Sequence, residues 1–223
     1  MKEELRRMKQ SVILPAAFVL LIWLIMLVAW VFDLSYGGMG VYPRHLSGIT
    51  GILTYPFFHG SWGHLAANTI PVFVLSTSII YFYRPVEMRI LLFIYLISGG
   101  LLWLVGREVH HIGASGLIYG FAGFLMFSGI MRRNMRLLAL SLLMFFLYGG
   151  IFWGVLPADP QVSWEGHLSG LITGIVAAFV FRKRGPDDDR HPWQDQEPDE
   201  ESVPYWDHNR YFPSKKVGVR NEE

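Results

Sequence analysis

Three short segments of this chain hold side chains that can do chemistry together. Ser115 lies in Gly113-Ala114-Ser115-Gly116, where a loop passes into an apolar segment. His167 opens a later apolar segment, in Gly166-His167-Leu168-Ser169-Gly170. His64 and Asn68 stand in His64-Leu65-Ala66-Ala67-Asn68, at the start of an earlier one. A serine hydroxyl is a weak nucleophile until a base takes its proton, and an imidazole, which titrates near neutral pH, suits that task. A carbonyl attacked in this way develops an oxyanion. His64 and Asn68 fall one helical turn apart on one face and can both donate to it. Taken singly, each residue has a plainer reading. A serine beside glycine packs helices together, an asparagine hydrogen-bonds between helices, and a histidine at a helix end lies at an interface. It is their coincidence that favours a nucleophile, a base and a set of anion-stabilising donors.

The elements that carry these residues are membrane spans. Of the 223 residues, 52% are hydrophobic and 17% charged, and the apolar ones are gathered in blocks. Each block approaches the roughly 17–25 residues that cross the hydrocarbon core as a helix. Six spans are expected: Val12–Phe32, His64–Tyr83, Met88–Val105, Ser115–Met131, Leu137–Leu156 and Gly166–Phe181. The fold class is therefore all-α, a polytopic membrane bundle. A short N-terminal segment, 1–11, precedes the membrane domain, 12–182. The long connection from Asp33 to Gly63 holds several Gly and Pro and is expected to be functional or partly structured. The tail, 183–223, is rich in Asp, Glu and Pro and is expected to be largely disordered.

Charge placement orients the spans. With the N-terminus in the cytoplasm, the inner side holds Lys2, Arg6, Arg7, Lys9, Arg84, Arg89, Arg132, Arg133, Arg136, Arg182, Lys183 and Arg184, against Arg44 and Arg107 outside. This positive-inside bias places both termini in the cytoplasm, and the protein is expected in the plasma membrane. Ser115, His64 and His167 then all begin inward-running spans from one face. Polar groups at such positions mark a functional site, because they are costly in lipid. The Ser115–Met131 span, 17 residues, is about 25 Å long as a helix, so Ser115 lies recessed below the surface. Gly113 lets its loop turn tightly. Gly116 and Gly120, and likewise Gly166, Gly170 and Gly174, are spaced by four and permit close helix contact in lipid. The fourth and sixth spans should therefore touch, bringing His167 to Ser115. Tyr119 lies one turn below Ser115, where its ring can support the imidazole.

Together these motifs resemble those of the rhomboid intramembrane serine proteases of the minimal six-span kind. Gly113-Ala114-Ser115-Gly116 with Tyr119 is similar to that family's nucleophile motif, and Gly166-His167 with Gly170 and Gly174 to its base segment. His64 with Asn68 resembles its oxyanion pair, and His59 a histidine often found five residues upstream. The resemblance covers about Gly48 to Phe181. It implies hydrolysis of peptide bonds in or near transmembrane helices of substrate proteins, a first loop lying partly in the outer leaflet, and a fifth span that helps admit substrate. The Trp-Arg pair common in that loop is absent, and Pro43-Arg44 stands in its region.

The other readings are weaker. A catalytically inactive relative that binds client transmembrane segments is the alternative, but such proteins normally lack the Ser or the His. The histidines 59, 64, 110, 111 and 167 do not form a His-Glu-x-x-His or similar ligand pair, so no metal or other cofactor is expected. A transporter would show internal repeats and paired intramembrane ions. No basic, aromatic-interleaved patch points to nucleic acid, and the net charge is only +1. The expected partners are transmembrane substrates and the lipid bilayer. Glu165 stands two residues before His167, about 200° around a helix, which favours a Ser-His dyad over a triad. His59, His110 and His111 are expected to be structural or solvated. The absence of cysteine excludes a thiol nucleophile and disulfides.

Overall fold

A computed structural model describes residues 2–147, 154–157 and 162–186. Among them the architecture is all-α. The helices are α1 (Lys2–Val31), the single-turn α2 (Gly51–Thr54), α3 (Trp62–Phe82), α4 (Glu87–Val105), α5 (Ser115–Met131), α6 (Met135–Leu147) and α7 (Trp164–Val180). By length and composition α1, α3 and α4 can each cross a membrane, and α5, α6 and α7 are shorter apolar helices.

The middle of the bundle is α5. It is apolar on every side, and a helix of that kind must be surrounded. Leu117, Ile118, Tyr119, Phe121, Ala122, Phe124 and Leu125 are all buried. Its neighbours are α7, α6, α3 and α4, while α1 packs on α3. The outward faces are apolar instead of polar. Leu20, Leu24, Trp30 and Phe32 on or just beyond α1 are exposed, as are Leu104 on α4 and Val180 on α7. Surfaces of this kind are stable where lipid covers them, and helices satisfy their own backbone groups there.

The tightest helix pair is α5 with α7. A Cβ placed on Gly170 would collide with the carbonyl oxygen of Gly116, and one on Gly174 with that of Gly120. The four-residue glycine spacing therefore does bring these helices together at backbone contact, as read from the sequence. On the other side of the bundle, Arg7 donates to the Tyr81 carbonyl from Nε (3.0 Å) and Nη2 (2.6 Å) and lies over the Tyr81 ring.

Two boundaries differ from the sequence reading. The first helix begins at Lys2, not near Val12, so residues 2–11 continue it and Ser11 is buried. Hydropathy marks where lipid begins, whereas Lys, Glu, Leu, Arg and Met are good helix formers on either side of that limit. The sequence carries the fifth span to Leu156, whereas α6 is described over Met135–Leu147 and residues 154–157 form turns instead of helix. Residues 148–153 lie outside the described residues, as does most of the expected disordered tail, from residue 187 onward. The long first connection is partly structured, as expected: besides α2 it has short 3-10 turns at Gly37–Met39, Leu46–Gly48 and Tyr55–Phe57.

Candidate active site

Helix α5 starts at Ser115, and Gly113 just before it has φ +115°, a left-handed value that favours glycine. A Cβ on Gly113 would also lie 2.6 Å from Cε1 of His64, so the loop presses against that ring. The Gly113 N–H donates to the Tyr55 carbonyl at 2.8 Å, and the Ala114 N–H reaches Nε2 of His59 at 3.4 Å. The approach to Ser115 is thus fixed by a backbone carbonyl, a histidine and a glycine conformation.

His167 lies in the first turn of α7. Ser163 caps that helix, its hydroxyl accepting from the Gly166 N–H at 3.3 Å. With α5 and α7 in backbone contact, Nε2 of His167 comes within 2.9 Å of Ser115 Oγ. Nδ1 lies 2.8 Å from the carbonyl oxygen of Gly154. A carbonyl can only accept, so Nδ1 carries the proton and donates to Gly154. Nε2 is then the acceptor, and the Ser115 hydroxyl donates to it. The Tyr119 ring stacks on the imidazole at 4.2 Å between centroids and 11° between planes. His167 is itself buried.

Helix α3 brings the third segment. Its cap is Ser61, whose hydroxyl accepts from the His64 N–H at 3.1 Å. The rings of His64 and His59 meet edge to face, 5.1 Å apart. Asn68 is buried, and its Nδ2 has no hydrogen-bond partner among the described residues. A buried donor left unpaired is costly, and such a donor at a functional site is one that a reacting ligand can satisfy.

The residues named from the sequence therefore fall as follows. Ser115, His167 and Tyr119 are in direct contact, and Gly113 and His64 are against each other beside them. Asn68 lies one turn further along α3. Glu165 is held by Arg107, with Oε1 3.2 Å from the guanidinium Nε. His59 and His111 are buried, and burial, followed by the charge of His64, holds the His59 imidazole down at about 4. His110 packs on Tyr42. In the region of the missing Trp-Arg pair, Arg44 donates to the Gly106 carbonyl at 2.6 Å and pairs with Glu108 at 3.2 Å. Sequence reasoning missed the Gly154 carbonyl. A backbone oxygen has no residue-type signature, so no signal in the chain could have revealed it.

A family model described as the Rhomboid domain matches residues 46–184, more than half of the chain. The chain belongs to the rhomboid family. Among its relatives, an uncharacterized protein of Mycobacterium tuberculosis is 35% identical over 173 residues, covering 74% of this chain and 72% of its own length. An uncharacterized protein of Mycobacterium leprae is 33% identical over 174 residues, covering 74% and 68%. A rhomboid-named protein of Acanthamoeba polyphaga mimivirus is 28% identical over 142 residues, covering 60% and 77%. This rhomboid is an integral multi-pass membrane protein, and a bilayer is its environment.

Proposed function

We propose that this rhomboid hydrolyses peptide bonds in or near transmembrane helices of membrane-protein substrates, using Ser115 and His167 as a dyad. The observation that carries this reading is the 2.9 Å contact of Ser115 Oγ with a His167 Nε2 whose other nitrogen is occupied by the Gly154 carbonyl. A base held in that tautomer is ready to take the serine proton.

The steps follow from the geometry. Ser115 Oγ attacks the scissile carbonyl carbon, and its proton passes to His167 Nε2. The carbonyl oxygen becomes an oxyanion, which His64, Asn68 and the unpaired first N–H groups of α5 stabilise, aided by the positive end of that helix. The Nε2 proton then moves to the leaving nitrogen as the C–N bond breaks, and an ester remains on Ser115. Water gives a proton to Nε2, attacks the ester and releases the new carboxyl terminus, and Ser115 recovers its hydroxyl. Tyr119 and Gly154 hold the ring in register throughout.

An inactive rhomboid that only binds client segments would have no need of this aligned pair. The basic residues at the ends of α1, α3, α5 and α7 support cytoplasmic termini. Because the chain has no cysteine, single-cysteine labelling at either terminus in intact cells tests that orientation directly. The activity is tested in detergent with a panel of single-span substrates. Cleavage by the native protein and none by Ser115→Ala is expected, whereas equal cleavage by both overturns the reading.

A further inference from the structure

The separation of Ser115 from His167 is governed at two levels. Below the pair, the glycines of α5 and α7 lie in backbone contact. Above it, one loop reaches across both elements. Residues 106–114 run directly into Ser115, and the same loop grips the turn that begins α7.

The grip has two parts. The Arg107 guanidinium donates from Nη2 to the Val162 carbonyl at 2.7 Å, and its Nε lies 3.2 Å from Glu165 Oε1. His111 supplies the second. Its Nε2 donates to the Arg107 carbonyl at 3.0 Å, which leaves Nδ1 to accept from the Ser163 hydroxyl at 2.6 Å. That hydroxyl also caps α7, and the Ser163 carbonyl accepts from the His167 N–H at 3.1 Å. The His111 backbone is fixed in turn, exchanging two hydrogen bonds with Val41 at 2.9 and 3.0 Å. Glu165 is 5% exposed, and its Oε2 has no partner among the described residues. A carboxylate buried in this way depends on its one cation.

We propose that Arg107, His111, Ser163 and Glu165 form a polar clamp that sets the distance between Ser115 and His167, and that Arg107 and Glu165 are positioning residues for the hydrolysis. This rests on the dyad reading for its catalytic consequence. Its structural consequence, that the first turn of α7 is held by Arg107, stands apart from that reading. The ion pair contributes alignment more than stability, because the Arg107 side chain is 36% exposed and water screens the pair. Loss of alignment is different: a displacement of about 1 Å at a reacting pair costs roughly 100-fold in rate.

The test uses the full chain in detergent, with Glu165→Met, Arg107→Met and the double variant. Three quantities are measured: kcat and KM on a transmembrane substrate, melting temperature, and hydrogen exchange of the peptide covering 162–170. The double variant is expected to keep a melting temperature within a few degrees of native and an unchanged KM, while kcat falls roughly 10-fold to 100-fold. Its loss should equal or exceed that of Glu165→Met alone, since the double variant also gives up the Arg107 hydrogen bond to the Val162 carbonyl. Exchange should quicken in 162–170 and not in 115–131. Native-like kcat in the double variant overturns the positioning role, as does a kcat loss that only tracks the folded fraction. Unchanged exchange in 162–170 overturns the clamp itself, and this readout decides even if the native protein cleaves nothing. Inactive native protein with quickened exchange in the variants would refute the protease reading and leave the clamp standing.

Discussion

The imidazole of His167 and the phenol ring of Tyr119 lie nearly parallel, 11° apart with 4.2 Å between centroids. Tyr119 is one turn into α5, and His167 is in the first turn of α7, so the stack exists only because those helices touch. The stack fixes the plane of the ring, and the Gly154 carbonyl fixes its rotation. Stacked pairs contribute about 0.5–1.5 kcal/mol beyond area burial. Tyr119→Ala is therefore expected to lower kcat roughly 10-fold, because about 1.4 kcal/mol corresponds to one decade. Tyr119→Phe keeps the ring and should lose less. Steady-state kinetics on one substrate decides this; equal loss in both variants would locate the contribution in the hydroxyl.

Asn68 and His64 are expected to act on the oxyanion. Removing one such donor costs roughly 100-fold to 1000-fold in kcat where no other donor compensates. Backbone N–H groups of α5 remain in both variants, so Asn68→Ala should be impaired and still measurable. Full kcat in both Asn68→Ala and His64→Ala, on several substrates, would remove these residues from the mechanism.

The glycine contact makes a sharper structural prediction. Gly170→Val would drive a side chain into the Gly116 carbonyl, with no flexible group to yield. Overpacking of this kind costs about 1–3 kcal/mol or more. The variant should lose thermal stability and activity together. Gly100→Ala is the control, since a Cβ there meets nothing within 4 Å. It should remain native in both respects, and a melting temperature measured on each in detergent checks the pair.

Much of this was legible because the chemistry sits at element boundaries. The start of α5 at Ser115 was readable from Gly113 and Gly116, and the α5–α7 contact from glycine spacing alone. The turns at 154–157 were not, because the apolar run continues through them. Hydropathy alone does not tell an apolar turn from an apolar helix. The clamp was also hidden. Arg107 and Glu165 are 58 positions apart (165 − 107), and only the folded bundle makes them neighbours. Glu165 was set aside as a triad member on helical angle, and it is bound to Arg107 instead.

Acid should act in two ways. Cleavage needs a neutral imidazole at His167 and is expected to be lost once that ring takes up a proton. Stability should also fall in acid, for a separate reason. His59 is held at about 4 by burial, with the charge of His64 second. The unfolded chain, near 6.5 for this group, binds the proton more readily, so stability is full above about pH 6.5 and is lost as pH falls toward 4. Melting temperatures across this range separate the two effects: activity lost on acidification with an unchanged melting temperature is titration of the base. Chelators should change neither quantity, and inhibition by EDTA that zinc reverses would contradict the dyad.

The most direct measurement is covalent capture of the nucleophile. The native protein, treated in detergent with a fluorophosphonate and digested for mass spectrometry, should carry one adduct, on Ser115. Ser115→Ala and His167→Ala should each remain folded and unlabelled. Labelling at another residue, or undiminished labelling of Ser115 in His167→Ala, would contradict the account.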